Sequence, residues 1–235
     1  MADLIHANYL LLSVINRFGI KLGFGEKSVR QVCDEEGVDT GFFLEIANAF
    51  HDKDYFPQKQ LQTYSVKQIV DYLKTTHNYY LNEKVPEIEE LIDKMILKQE
   101  GRSLDLVRDF FGQYRHELAA HIRHEDELVF PYALEVEAFY KRLRERGEVL
   151  EVPSIVKKFS MKKFSKEHEN IEDKLYDLKN ILIKYTPPVD DHALVNHILF
   201  DLFSLEKDLN DHSRIEDKIM VPKVVEMEKA IASVI

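Results

Sequence analysis

Only one cysteine, Cys33, occurs in the 235 residues of the chain. A lone thiol excludes an intramolecular disulfide framework, a Cys-rich zinc site and a cysteinyl iron-sulfur cluster, and Cys33 itself reads as a small buried hydrophobe. Glycine and proline are scarce too, at 8 and 7 copies, which is too few turn formers for an all-β sandwich, while 45% hydrophobic residues are too many for wholesale disorder. Basic residues are outnumbered, 32 Lys+Arg against 42 Asp+Glu, for a formal charge of -10. General nucleic-acid or membrane binding is therefore not expected, and small ligands or metal cations are favoured as partners. No apolar run approaches the ~18 residues that would suggest a membrane span. The longest early run, Tyr9 to Ile15, follows Asp3 rather than a basic segment. The expectation is a soluble, cytoplasmic, all-α protein.

What the chain does have is helical periodicity. Up to about Tyr55, short helical segments are punctuated by glycines at 19, 23, 25, 37 and 41, and Phe56-Pro57 breaks the pattern. This predicts a small helical N-terminal module over 1–57, followed over 58–235 by an up-down four-helix bundle. Apolar residues there recur at alternating steps of three and four, as helices packed along a seam require. The first seam reads Val66, Val70, Leu73, His77, Tyr80, and the second Phe110, Tyr114, Leu118, His121, Glu125, Leu128, Tyr132. The third reads Met161, Phe164, His168, Ile171, Leu175, Leu178, Leu182, Tyr185, and the fourth Leu194, Ile198, Leu202, Leu205, Leu209, His212, Glu216, Ile219. Pro86 predicts a kink after the first seam, and Pro187-Pro188 separates the third from the fourth.

Every seam carries one histidine, and two carry a glutamate four residues later, where the pattern calls for Leu or Ile. His77 and His168, His121 and His212, and Glu125 and Glu216 are each 91 residues apart. The text repeats around the second histidine of each half: His121-Ile-Arg-His-Glu125-Asp-Glu-Leu-Val-Phe-Pro131 against His212-Ser-Arg-Ile-Glu216-Asp-Lys-Ile-Met-Val-Pro222. The shared offset predicts two similar helical hairpins about a pseudo-twofold axis, with four histidines and two glutamates around one centre.

Residues i and i+4 lie on one helix face, so each His/Glu pair presents an imidazole and a carboxylate inward. Such groups are very costly in a helical core unless something compensates them, and a pair of metal ions does. Imidazole plus carboxylate without thiolate suits iron or manganese, with zinc as a competitor. Two six-coordinate ions have room beyond four imidazoles and two bridging carboxylates for oxo, hydroxo, water or exogenous ligands. A ferritin-like site would need Glu-x-x-His, which no histidine here satisfies. In His116-Glu117 the next histidine, His121, is five residues on, which excludes the zincin pattern. His116 and His124 align with Lys207 and Ile215 in the repeat and are read as surface or supporting groups. His192 and His197 lie too far along the fourth helix to reach the centre. Tyr79, Tyr80 and Tyr114 read as core aromatics that could line the site.

At these residues the chain resembles the hemerythrin-like di-iron proteins, and more closely the repair-of-iron-centres family. The resemblance implies His77, His121, Glu125, His168, His212 and Glu216 as ligands of two iron ions with an oxo or hydroxo bridge. Phe18-Gly19-Ile20, the glycines at 23 and 25, Ser28 to Cys33 and Gly37-Val38-Asp39 resemble the module that often precedes this domain. That module usually carries adjacent cysteines where this chain has Lys21-Leu22, so a paired-thiol role is not expected.

The function implied is stress-response repair of iron or iron-sulfur centres damaged by nitrosative or oxidative chemistry, with iron or iron-sulfur proteins as clients and a homodimer left open. Three alternatives stand beside it. One is a binder or sensor of O2 or nitric oxide. Another is a di-iron reductase of nitric oxide or peroxide. The third is a metal-free helical interaction protein.

Overall fold

The computed structural model describes residues 1–52, 54–98, 104–146, 159–167 and 173–234. All regular structure among them is helical, as expected from the composition and periodicity. In chain order the helices are α1 (Ala2–Ala7), α2 (Leu11–Arg17), α3 (Val29–Glu36), α4 (Thr40–His51), α5 (Gln58–Leu61), α6 (Val66–Tyr79) and α7 (Val85–Leu97). There follow α8 (Asp105–His124), α9 (Phe130–Arg146), α10 (Met161–Glu167), α11 (Asp173–Asn180), α12 (His192–Ile215) and α13 (Val221–Ala232). No helix among the described residues is long and apolar enough to cross a membrane. The described residues form two compact units, one drawn from 1–76, 133–153 and 214–235 and the other from 77–132 and 154–213.

In the first unit, α2 and α3 pack on α4. Ser28 opens α3 with a reciprocal cap, its hydroxyl accepting from the Gln31 amide while the Gln31 side chain accepts from the Ser28 amide. Gly37 closes α3 in the left-handed region at φ 68°, which a residue without Cβ adopts at little cost. Asp39 then caps α4 by accepting from the Phe42 amide at 2.8 Å. The buried face of α4 carries Phe42, Phe43, Ile46, Ala47 and Phe50. Phe18 meets both Phe42 and Phe43 edge-on. At the start of α6, Ser65 and Gln68 form a second reciprocal cap, and buried Glu137 accepts from the Val66 amide at 2.9 Å. The helix that will carry His77 thus begins at a fixed point.

In the second unit, four helical stretches share one core. Ile88, Ile92 and Met95 come from α7, Val107, Phe111, Tyr114 and Leu118 from α8, Leu175 and Leu178 from α11, and Ile198, Leu202, Leu205 and Leu209 from α12. Each such side chain contributes about 1.5–3 kcal/mol by leaving water. The second, third and fourth seams meet here with α7, the helix beyond Pro86, while the first seam contributes only Tyr80 to this core.

The helices depart from ideal geometry at four π-helical turns among the described residues: Tyr80–Lys84, Glu125–Val129, Ile181–Tyr185 and Glu216–Met220. Each is followed by one residue and then a proline, namely Pro86, Pro131, Pro187 and Pro222. The residue before each proline donates its amide five residues back, from Val85 to Tyr80, Phe130 to Glu125, Thr186 to Ile181 and Val221 to Glu216. The proline explains the widened turn. Its ring collides with the carbonyl four residues earlier and it has no amide to donate there, so the turn opens to separate the two.

An inserted residue also shifts which side chains face inward. The seam expected Leu128 inside, but Leu128 is half-buried and Val129 is buried in its place. The expected kink at Pro86 takes the form of a π-turn leading directly into α7. Phe110 is half-buried while Phe111 takes the core position, and Tyr185, written as the end of the third seam, is exposed in the last π-turn.

Cys33 is fully buried on α3. Burial pushes its thiol above the ordinary cysteine value, reinforced by the charges of Asp34 and Asp39 and only partly offset by a hydrogen bond with the Thr40 side chain. The thiol therefore stays protonated at and somewhat above neutral pH. Labelling of native protein by a disulfide reagent at pH 8 should be on the order of a hundredfold slower than labelling of unfolded protein, because reaction waits for local opening. Equal rates would show that the thiol is accessible.

Candidate metal centre

His77 ends the buried face of α6, and Glu125 and Glu216 each begin a π-turn, one helical turn after His121 and His212. His77, Glu125 and Glu216 are no more than 2% exposed, and His212 is 7% exposed. One ligating atom from each of these four lies within 4.8 Å of the others. His77 Nε2 stands 3.0 Å from His212 Nε2 and 3.4 Å from Glu125 Oε2. His121, on the face of α8 one turn before Glu125, places Nε2 3.3 Å from Glu125 Oε1 while keeping about a fifth of its side chain exposed. His168 lies outside the described residues. Of the six residues expected at the centre, the structure thus brings four into one cluster and sets His121 beside it on Glu125.

The donor chemistry fits a metal. Two carboxylates this deeply buried lose hydration, a cost that a multivalent cation offsets. The two imidazole nitrogens at 3.0 Å have the separation of neighbouring ligands that are each ~2.1 Å from one ion. Oxygen and nitrogen donors with no sulfur suit iron or manganese, as the sequence suggests.

A supporting residue not singled out as a site residue from the sequence is Asp126, whose Oδ1 lies 3.1 Å from His77 Nδ1. An ionised carboxylate only accepts, so Nδ1 carries the proton and the Nε2 lone pair faces the cluster. The signal was present in the sequence, since Asp126 and Asp217 are among the positions identical in the two copies of the repeat. Asp217 itself is exposed. Aromatic rings form dry walls. Phe130 stacks on His77 at 5.3 Å between centroids, and Tyr80 meets His212 edge-on at 5.8 Å. Tyr114 is buried beside Phe111 in the bundle core, and Tyr79 is half-buried. His116, His124, His192 and His197 are exposed, and none belongs to the cluster.

The chain is 20% identical over 229 residues to the iron-sulfur cluster repair protein ScdA of Staphylococcus haemolyticus (strain JCSC1435), an alignment covering 95% of this chain and 96% of that protein. Residues 68–224 match the hemerythrin HHE cation binding domain. That stretch covers more than half of the chain and contains every residue of the cluster. The chain therefore belongs to the hemerythrin HHE cation-binding domain family.

Proposed function

We propose that this is a non-haem di-iron protein that restores iron or iron-sulfur centres damaged by nitrosative or oxidative stress, through a labile site held by His77, His121, Glu125, His168, His212 and Glu216. The observation that carries the reading is the buried His77, Glu125, His212 and Glu216 cluster. The similarity to a protein named for iron-sulfur cluster repair supports it, because that similarity runs along nearly the whole chain. The same proposal includes an N-terminal module over 1–57 and a hemerythrin-like domain over 58–235. Iron and iron-sulfur proteins are the proposed clients, nitric oxide and O2 the small ligands, and the cytoplasm the compartment.

Bound iron supplies an exchangeable, redox-active ion with positions open to a small ligand. The protein's own residues set how firmly it is held. Asp126 fixes the tautomer of His77 by accepting from Nδ1, and Phe130 and Tyr80 keep bulk water from the imidazoles. Glu125 and Glu216 would supply the negative charge that holds bound iron, an attraction that would weaken if the charge at the centre fell. A site that loosened in this way would suit donation better than storage.

Metal analysis after anaerobic iron loading should approach two irons per chain. Glu125→Ala and Glu216→Ala should each lower it, whereas His116→Ala and His124→Ala should leave it unchanged. Full occupancy in the Glu125→Ala/Glu216→Ala double variant would overturn the ligand assignment.

A ferrous chelator should strip iron from reduced protein at least about tenfold faster than from oxidised protein, in line with loss of carboxylate attraction. Reduced holo-protein, but not apo-protein, should restore an iron-depleted [4Fe-4S] enzyme. If the reduced centre keeps its iron and binds O2 reversibly, gas binding replaces repair as the function.

Pro131→Ala returns an amide that can donate to the residue 127 carbonyl, which lets the π-turn relax and swings Phe130 off His77. Iron per chain should fall to about half or less while helicity by circular dichroism is retained. Unchanged iron content would separate the proline from ligand placement.

A further inference from the structure

We infer a second, peripheral cation site, formed by His197 and Asp201 of α12 with Glu87 of α7 and suited to a borderline divalent ion such as Zn2+. It lies wholly within the second unit and shares no residue with the buried cluster. It therefore stands whether or not the di-iron reading does.

His197 and Asp201 are spaced i and i+4, so imidazole and carboxylate sit one above the other on a single helix face. One ligating atom from each of Glu87, His197 and Asp201 lies within 4.8 Å of the others. Asp201 supplies the second, independent observation. Its side chain is only 4% exposed, yet among the described residues Oδ2 has no hydrogen-bond partner and stands 3.6 Å from His197 Nε2, beyond hydrogen-bonding distance. A buried carboxylate oxygen without a donor costs free energy that a cation would recover.

Lys84 accounts for the other oxygen. Its ammonium donates to Asp201 Oδ1 at 2.7 Å and to Glu87 Oε2 at 3.1 Å. Those contacts turn Asp201 so that Oδ2 faces the imidazole, the orienting role a supporting hydrogen bond plays at metal sites. With Lys84 present, the two carboxylates keep one net negative charge, so a divalent ion is still attracted. Three protein ligands of the His and carboxylate type leave a position for water, the composition of an open zinc site rather than a closed structural one. His197 and Glu87 are each 53% exposed, so the ion exchanges freely with solvent.

The test is titration of iron-loaded protein with Co2+, followed by visible absorption and by calorimetry, with Zn2+ as competitor. Wild-type protein should take up one Co2+ per chain that Zn2+ displaces. His197→Ala and Glu87→Gln, both exposed and harmless to the core, should weaken it at least about tenfold. Asp201→Asn should do the same, with circular dichroism verifying its fold. Glu125→Ala/Glu216→Ala should keep this Co2+ event while losing iron, which separates the two sites. No Co2+ uptake by wild-type protein, or uptake unaffected by His197→Ala, would overturn the inference.

Discussion

The structure turns on the placement of two carboxylates, Glu125 and Glu216, in positions that a helical core normally reserves for leucine. Buried carboxylates are tolerated only where something of opposite charge accompanies folding. Each neighbouring feature serves that arrangement. His77 and His212 bring neutral donors, Asp126 fixes one of them from behind, and Phe130 and Tyr80 exclude the water that would otherwise screen the charges. Even the distant cap of Glu137 on Val66 contributes, because it sets where α6 begins and hence where His77 falls eleven residues later.

The all-α class and the grouping of His77, Glu125, His212 and Glu216 were legible in the sequence because they depend on spacing alone. Helical geometry converts a repeat of three and four into a face, and the 91-residue offset converts two faces into a pair. The π-turns were not legible in the same way. A period of 3.6 residues has no place for an extra one, so Val129 was passed over for Leu128. The prolines that mark those turns were visible, but Pro86 alone suggested only a kink. The backbone was needed to show that all four prolines stand at the same distance from the start of a widened turn. Asp126 was missed as a site residue for another reason. Its side chain leaves the seam and reaches His77 on a different helix, which no pattern within one helix can reveal.

The N-terminal segment is defined by local signals. Its caps at Ser28 and Asp39 and its closing Gly37 form as local chemistry dictates. Cys33, at the centre of that packing, is held protonated by burial. The segment thus has defined helix boundaries and a buried core while offering no reactive thiol at neutral pH.

The two π-turns that begin at Glu125 and Glu216 carry an evolutionary consequence. Each adds one residue to its helix, and losing that residue would rotate everything beyond it by ~100°. Val129 and Phe130 after one glutamate, and Met220 and Val221 after the other, would leave the interior together. Exposed positions inside these turns, such as Glu127 and Lys218, can therefore change in identity but not in number. Length, rather than composition, is the constrained quantity there.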